Sequence, residues 1–324
     1  MTTRRQFLLA SALGAVAPAC AIAQARPVRI GMLNNRPLAV SFYAGSIVRR
    51  LAELGYREGA GMILEFRSAD GFADRFPKQA RELIALKCDL IFAIGPEVAV
   101  RALRDARTSV PVVFLAIDYD PLEKRVVTSL SRPGGNITGV YVPQGALAAK
   151  RLEVMREVVP TARRFLVLAD TFSNDQLDAV RKTAEAAGVQ LTIVEFSNQP
   201  YDFAGAFETG RKAGVQGLIG LASGVFASNL ATISALLEKY RLPSAGTSGA
   251  MAGAGFLFSY GPDVPKTTRR VADLGARILK GAKPADIPVE QADEFELVIN
   301  ARTARVLGVK IPESVLARAT KIVQ

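Results

Sequence analysis

From residue 28 to residue 117, short apolar runs alternate with amphipathic helical stretches, and beyond residue 142 the alternation starts again. Between the two blocks lies Ser131-Arg-Pro-Gly-Gly-Asn-Ile-Thr-Gly-Val-Tyr-Val142. Pro133 lacks a backbone donor and Gly134-Gly135 tolerate positive φ, so no regular element runs through them. Ile137 to Val142 is β-prone and apolar enough for one short strand. A breaker followed by a strand, set between two alternating β/α blocks, predicts a crossover between two lobes with a cleft beside it.

In the first block the pattern predicts strands over 28–34, 62–66, 90–94 and 112–117, with helices over 42–54, 75–86 and 97–106. The run Leu90-Ile-Phe-Ala-Ile94 is apolar throughout, as a strand covered on both faces must be. Strand–helix–strand alternation forces right-handed crossovers and a parallel sheet, so the expected class is α/β. The second block predicts helices over 145–158, 175–187, 202–213 and 228–240, with strands over 165–169, 190–195, 217–221 and near Ser244. Residues 256–260 read as extended, Asp263 as the cap of a helix ending at Gly281, and 301–307 and 312–322 as terminal helices. A chain of 324 residues is long enough for two domains of about 150 residues each.

Residues 1–25 read as an export signal. Thr3-Arg4-Arg5-Gln6-Phe7-Leu8-Leu9 has the twin-arginine form and is followed by an apolar stretch to Ala19, with small residues around Ala23 and Ala25. The apolar stretch is too short to span a bilayer about 30 Å thick. A periplasmic location follows, with ordinary Sec export as the alternative route and Cys20 as a candidate lipid anchor. Past the signal Cys88 is the single cysteine, so no internal disulfide can form and Cys88 reads as a small core residue. The net charge of +11 is spread along helices among acids, which argues against nucleic acid as a partner.

Five segments carry a resemblance: Ser131-Arg-Pro-Gly-Gly-Asn-Ile-Thr-Gly, Ser259-Tyr-Gly-Pro262, Ile278-Leu-Lys-Gly-Ala-Lys-Pro-Ala-Asp286, Pro288-Val-Glu-Gln291 and Phe295-Glu-Leu-Val-Ile-Asn300. In this order they resemble the ABC-transporter substrate-binding family that includes tryptophan-type binding proteins. The resemblance implies a type I periplasmic binding protein fold, with two Rossmann-like lobes built on parallel sheets, three crossings and a ligand closed between them by a hinge. It implies a first lobe of 26–141 plus 257–289 and a second of 142–256 plus 290–324. It also implies an ABC permease in the inner membrane as partner, a small organic ligand (an amino acid or an aromatic or carboxylate compound) and a monomer. The chain departs from the family at Gly95-Pro96-Glu97 and Asp118-Tyr119-Asp120-Pro121, which are ligand-proximal loops, so the ligand class stays open.

The chain contains no histidine, which removes the commonest general base, the commonest metal ligand and every Ser-His or Cys-His nucleophile pair. It has no phosphate-binding glycine loop either, and no cofactor or metal is expected. What remains are loops at the carboxyl ends of parallel strands, where open α/β sheets take ligands. In the first lobe these hold Asn34, Ser41, Phe42, Gly95, Pro96, Glu97, Asp118 and Tyr119. In the second they hold Asp170, Thr171, Phe172, Ser223, Gly224, Phe226, Thr247 and Ser248. An acid among them can take a ligand ammonium, hydroxyls can take its oxygens, and aromatics can cover an apolar body. Each has a plainer role open to it: Asp170 as a cap, Glu97 as a favourable first-turn acid, Phe172 and Phe226 as core, and Asp120-Pro121 as turn chemistry. Three functions fit: a solute receptor for an ABC importer, a ligand sensor for a membrane signalling partner, and a hydrolase or lyase built on carboxylates.

Overall fold

The computed structural model describes residues 26–324, so the segment expected to be an export signal, with Arg4, Arg5 and Cys20, lies outside the described residues. Five strands come before and within the crossover: β1 (Val28–Asn34), β2 (Met62–Ser68), β3 (Leu90–Gly95), β4 (Val112–Ala116) and β5 (Ile137–Tyr141). Eight follow: β6 (Arg164–Asp170), β7 (Gln190–Phe196), β8 (Gly217–Ile219), β9 (Ser244–Gly246), β10 (Phe258–Pro262), β11 (Glu290–Gln291), β12 (Phe295–Asn300) and β13 (Lys321–Val323). They form two sheets, ordered β11-β5-β4-β3-β1-β2 and β13-β12-β10-β9-β8-β6-β7. All pairings are parallel except that of β10 with β12.

The wholly apolar strands are covered on both faces. On one side of the first sheet Leu33, Ile91 and Phe114 pack with Phe76, Leu83 and Leu103 from helices Phe76–Ala85 and Glu97–Asp105. On the other, Ile30, Met32 and Phe92 meet Ile47 and Leu51 of helix Phe42–Glu53 and Val271 and Leu274 of helix Val264–Leu279. Two glycines permit the close layering. A Cβ at Gly139 would sit 2.2 Å from the Phe114 carbonyl, and one at Gly275 would sit 2.4 Å from the Phe92 ring. In the second lobe, helix Gln144–Val158 contributes Leu152 and Met155 to a core with Phe165, Val167, Leu257 and Phe258.

Three expectations are corrected. The strand around Phe258 does not recross to the first lobe: β10 pairs with β9 and β12 in the second sheet, and Phe258 and Leu257 are fully buried in that lobe's core. The chain recrosses only after Pro262, when Asp263 caps helix Val264–Leu279 by accepting from Lys266 N at 3.0 Å. Glu290–Gln291, expected in the second lobe, pairs with β5 at the edge of the first sheet. Two polar residues at an edge carry no hydrophobic signature that could have placed them. Residues 312–322, expected as a helix, give a short helix Glu313–Leu316 and then β13, which runs parallel to β12. Ile322 is half exposed on that edge strand, so burial supplies no pattern to read.

Among the described residues no helix is long and apolar enough to cross a membrane.

Candidate functional site

The carboxyl ends of the strands in both sheets face one another across the crossovers and enclose a main cavity of about 450 Å³. Asn34, Asn35 and Arg36 reach it from the end of β1, Ser41, Phe42 and Tyr43 from the next helix, Gly95 and Pro96 from β3, and Asp118 from β4. Ser223, Gly224, Thr247 and Ser248 close it from the second lobe. Two further hollows adjoin it. One, of about 490 Å³, is lined by Pro96, Glu97, Tyr119, Thr171 and Phe172; the other, of about 260 Å³, by Tyr119, Tyr141, Gln144 and Asp175. Asp118 lines all three.

The lobes touch around this space. Lys124 of the first lobe pairs with Asp175 of the second at 3.0 Å, and Arg36 Nη2 donates to the Ala227 carbonyl at 3.4 Å. Gly71 abuts the Gln199 and Val225 side chains, and Gly224 lies against the Asn35 amide.

Hydrogen bonding separates side chains engaged within the protein from those with capacity to spare. Asn34 Nδ2 donates to Ser41 Oγ at 2.6 Å, and Ser41 also accepts from Ala44 N at 3.3 Å to cap its helix. These two therefore hold the β1 loop in shape. Ser223 Oγ donates to Asp170 at 2.5 Å and accepts from Val225 N at 3.1 Å. Thr247 Oγ1 and N both contact Met251 Sδ, at 3.4 and 3.3 Å. Glu97 pairs with Arg101 one helical turn away, at 3.1 Å. By contrast Asp118 Oδ1 and Asn35 Oδ1 are buried with no hydrogen-bond partner among the described residues. Ser248 makes no capping bond to the helix it precedes.

Asp118 lies two residues past β4 and Asp170 ends β6, and their surroundings differ. Asp170 accepts from Ser223 Oγ, from Phe172 N at 3.1 Å and from Tyr201 Oη at 3.4 Å. Burial raises its pKa, and those donors pull it back down. Asp118 has no such set. Burial pushes its pKa well above the ordinary carboxylate value, and the charges of Asp170, Asp175 and Glu97 push the same way. The turn that follows is braced by Asp120, whose Oδ1 accepts from Leu122 N at 2.7 Å and Glu123 N at 3.1 Å. Asp118 is thus free of that structural duty.

Of the sixteen residues singled out in the sequence, fourteen line the main cavity or the hollow beside Glu97. Two do not. Asp170 lies behind the wall, where it holds Ser223. Phe226 packs at 6.1–6.2 Å between ring centroids against Phe196, Tyr201 and Phe203, so it belongs to the lobe's aromatic core. Tyr43, Gln144 and Glu296 line the main cavity without having been singled out. Gln144 directly follows Pro143, just past the crossover strand, a position that could have flagged it. Glu296 accepts from Gly249 N at 3.2 Å, and burial raises its pKa.

Among the described residues no group of three or more acidic or cysteine side chains could hold a metal ion.

Residues 39–323 match the family model for ABC transporter substrate binding protein. Among curated proteins the chain is similar to the tyrosine-binding protein of Clostridioides difficile strain R20291, with 24% identity over 274 residues, 81% of this chain and 75% of the relative. Among solved structures it is similar to an ABC domain from Streptococcus pneumoniae in complex with L-Trp, at TM-score 0.80 and 25% identity over 92% of this chain and 100% of the other. A conserved domain protein of Vibrio cholerae superposes at TM-score 0.82 with 24% identity, covering 92% and 100% of the two chains.

Proposed function

The chain belongs to the ABC transporter substrate-binding protein family and is a solute-binding receptor for a small organic ligand; from that premise we propose that its ligand is an amino acid with an aromatic side chain. The observation that carries this reading is Asp118, a carboxylate with one buried, unpartnered oxygen at the junction of all three hollows. A buried anion without a partner is costly, and a ligand ammonium supplies the missing charge. Val40, Phe42, Tyr43, Ile94 and Ile117 line the same cavity, giving the apolar body of such a ligand rings and branched side chains to lie against. A volume of about 450 Å³ falls within the usual range for small-molecule sites. The tyrosine and tryptophan ligands of the two relatives point the same way.

On this reading the first lobe comprises the first sheet with helix Val264–Leu279, and the second lobe the remainder after Pro143. The two close on the ligand by bending at the crossings, and the closed monomer delivers its cargo to a permease in the inner membrane without altering it chemically. Ligand affinity in such a device comes from contacts made only in the closed state.

A thermal-shift and calorimetric panel of L-tyrosine, L-tryptophan, L-phenylalanine, acidic and basic amino acids and 4-hydroxybenzoate tests the ligand class. Saturating stabilisation by an aromatic amino acid, with compaction in small-angle scattering and the ligand recovered unchanged, is the expected outcome. Binding of 4-hydroxybenzoate with no response to any amino acid would refute it. The twin-arginine route is proposed from the sequence alone: replacing Arg4 and Arg5 by lysine should hold precursor in the cytoplasm, and normal export would return the signal to the Sec pathway.

A further inference from the structure

Gln144 opens helix Gln144–Val158 directly after Pro143, and the residue is 4% exposed. It lines the main cavity and the hollow beside Tyr141, as Asp118 does. Two turns along the same helix face sits Arg151, fully buried. The guanidinium donates Nε to the Tyr260 carbonyl at 2.8 Å, Nη1 to the Gly220 carbonyl at 3.1 Å, and Nη2 to Gln144 Oε1 at 2.7 Å. Arg151 forms no ion pair with a carboxylate among the described residues, although Glu65, Glu97 and other acids elsewhere pair with arginines.

An arginine has donors only, so the atom of the Gln144 amide that faces it must be oxygen. The amide plane then turns Nε2, with its two N–H groups, to the opposite side, and Nε2 makes no hydrogen bond to the described residues. Behind this donor lies a buried positive charge: the Arg151 pKa is pushed down to about 9 by burial, which leaves it cationic at neutral pH. Tyr43, on the cavity wall, lies within its field. Arg36, Asp118, Glu296 and Lys321 also line that cavity; Glu296 accepts from Gly249 N, and Arg36 donates to the Ala227 carbonyl.

We infer that Gln144 is a specificity-determining residue that donates Nε2–H to a ligand carboxylate, and that Arg151 is a positioning residue that fixes the amide in the donating orientation. The inference rests on the amino-acid reading of the cavity and deepens it: Asp118 receives the ammonium, Gln144 the carboxylate, and the pocket distinguishes an amino acid from the amine that lacks its acid group. The neutral amide meets the carboxylate at close range, while the guanidinium supplies electrostatic attraction from behind without direct contact.

The test compares L-tryptophan with tryptamine and L-tyrosine with tyramine by titration calorimetry. Wild type should prefer the amino acid. Gln144→Leu should weaken amino-acid binding about ten- to hundredfold, the range for a hydrogen bond to a charged group, and leave the amine within about threefold. Gln144→Glu keeps an acceptor for Arg151 and presents the cavity with oxygen instead of N–H. It should raise the melting temperature by pairing the buried guanidinium, yet lose the amino acid at least as severely as Gln144→Leu. Arg151→Lys should retain more of the acid-over-amine preference than Arg151→Met, since only the lysine can still donate to Gln144. A preference unchanged in both Gln144 variants would overturn the assignment while leaving the amino-acid reading intact. An unchanged preference in Arg151→Met would overturn the positioning role. Equal binding of acid and amine by wild type would refute the Gln144 assignment, and binding of neither would overturn the amino-acid reading and this inference with it.

Discussion

Replacing Asp118 by asparagine separates a ligand contact from a structural one, because the two roles move affinity and stability in different directions. In the free protein the Asp118 carboxylate has a buried oxygen with no partner among the described residues, and burial together with three other acids raises its pKa. Asparagine is nearly isosteric and removes that unfavourable charge, so the melting temperature of the free protein should hold or rise. In the complex the same change deletes one member of a buried charged pair. The loss expected for an ammonium ligand is roughly 2–4 kcal/mol, about thirtyfold to several-hundredfold in Kd. The upper half of that range applies if the ligand nitrogen meets the buried Oδ1, and the lower half if the more open face of the carboxylate serves. Had Asp118 braced its loop, the substitution would lower stability and leave affinity nearly unchanged; Asp120, with its bonds to Leu122 N and Glu123 N, holds that role instead. Calorimetry on both proteins, with melting curves measured free and saturated, reads the two quantities separately. Wild-type affinity for L-tyrosine or L-tryptophan in Asp118→Asn would refute the ammonium assignment outright.

The raised pKa of Asp118 also fixes a pH dependence: between the ordinary value of 3.8 and the raised one, the native free protein holds a proton that the unfolded chain has lost. This group's contribution to stability therefore falls as pH rises through that window, while the ammonium ligand binds better to the ionised form, so ligand-induced stabilisation should grow with pH; a flat profile from pH 4 to 8 would count against Asp118. Lys124→Ala removes the pair to Asp175, whose side chains are 40% and 34% exposed, so affinity should fall by no more than about 1 kcal/mol while scattering shows a larger free protein. A loss above tenfold would instead make Lys124 a ligand contact. Phe226→Leu opens space in the aromatic core and should cost about 1–3 kcal/mol of stability with Kd within threefold of wild type, whereas a large affinity loss at unchanged stability would return Phe226 to the site.

The sequence by itself determined the two-lobe α/β class, because its signals are local. Period-two and period-3.6 burial, breakers such as Pro133-Gly134-Gly135 and caps such as Asp263 act within a few residues of where they are read. It also brought out the loops at strand ends, which is why Asp118, Ser248 and Gly95 were legible as cavity-facing positions. Pairing partners were decided only in three dimensions. Phe258 joined the second sheet because its neighbours there bury it completely, and Glu290–Gln291 and β13 are edge segments whose burial leaves no pattern in the chain. The same holds for chemistry. Ile117-Asp118 and Ala169-Asp170 are alike as sequence, yet Tyr201 and Ser223, 31 and 53 residues further on, engage Asp170, while no donor among the described residues reaches Asp118 Oδ1. Gln144 likewise gains its meaning from a guanidinium that also holds the Gly220 and Tyr260 carbonyls, 69 and 109 residues away from Arg151. A hydrogen-bond partner is fixed by distance in space and not along the chain, so the tertiary structure alone decides which polar groups are left for a ligand.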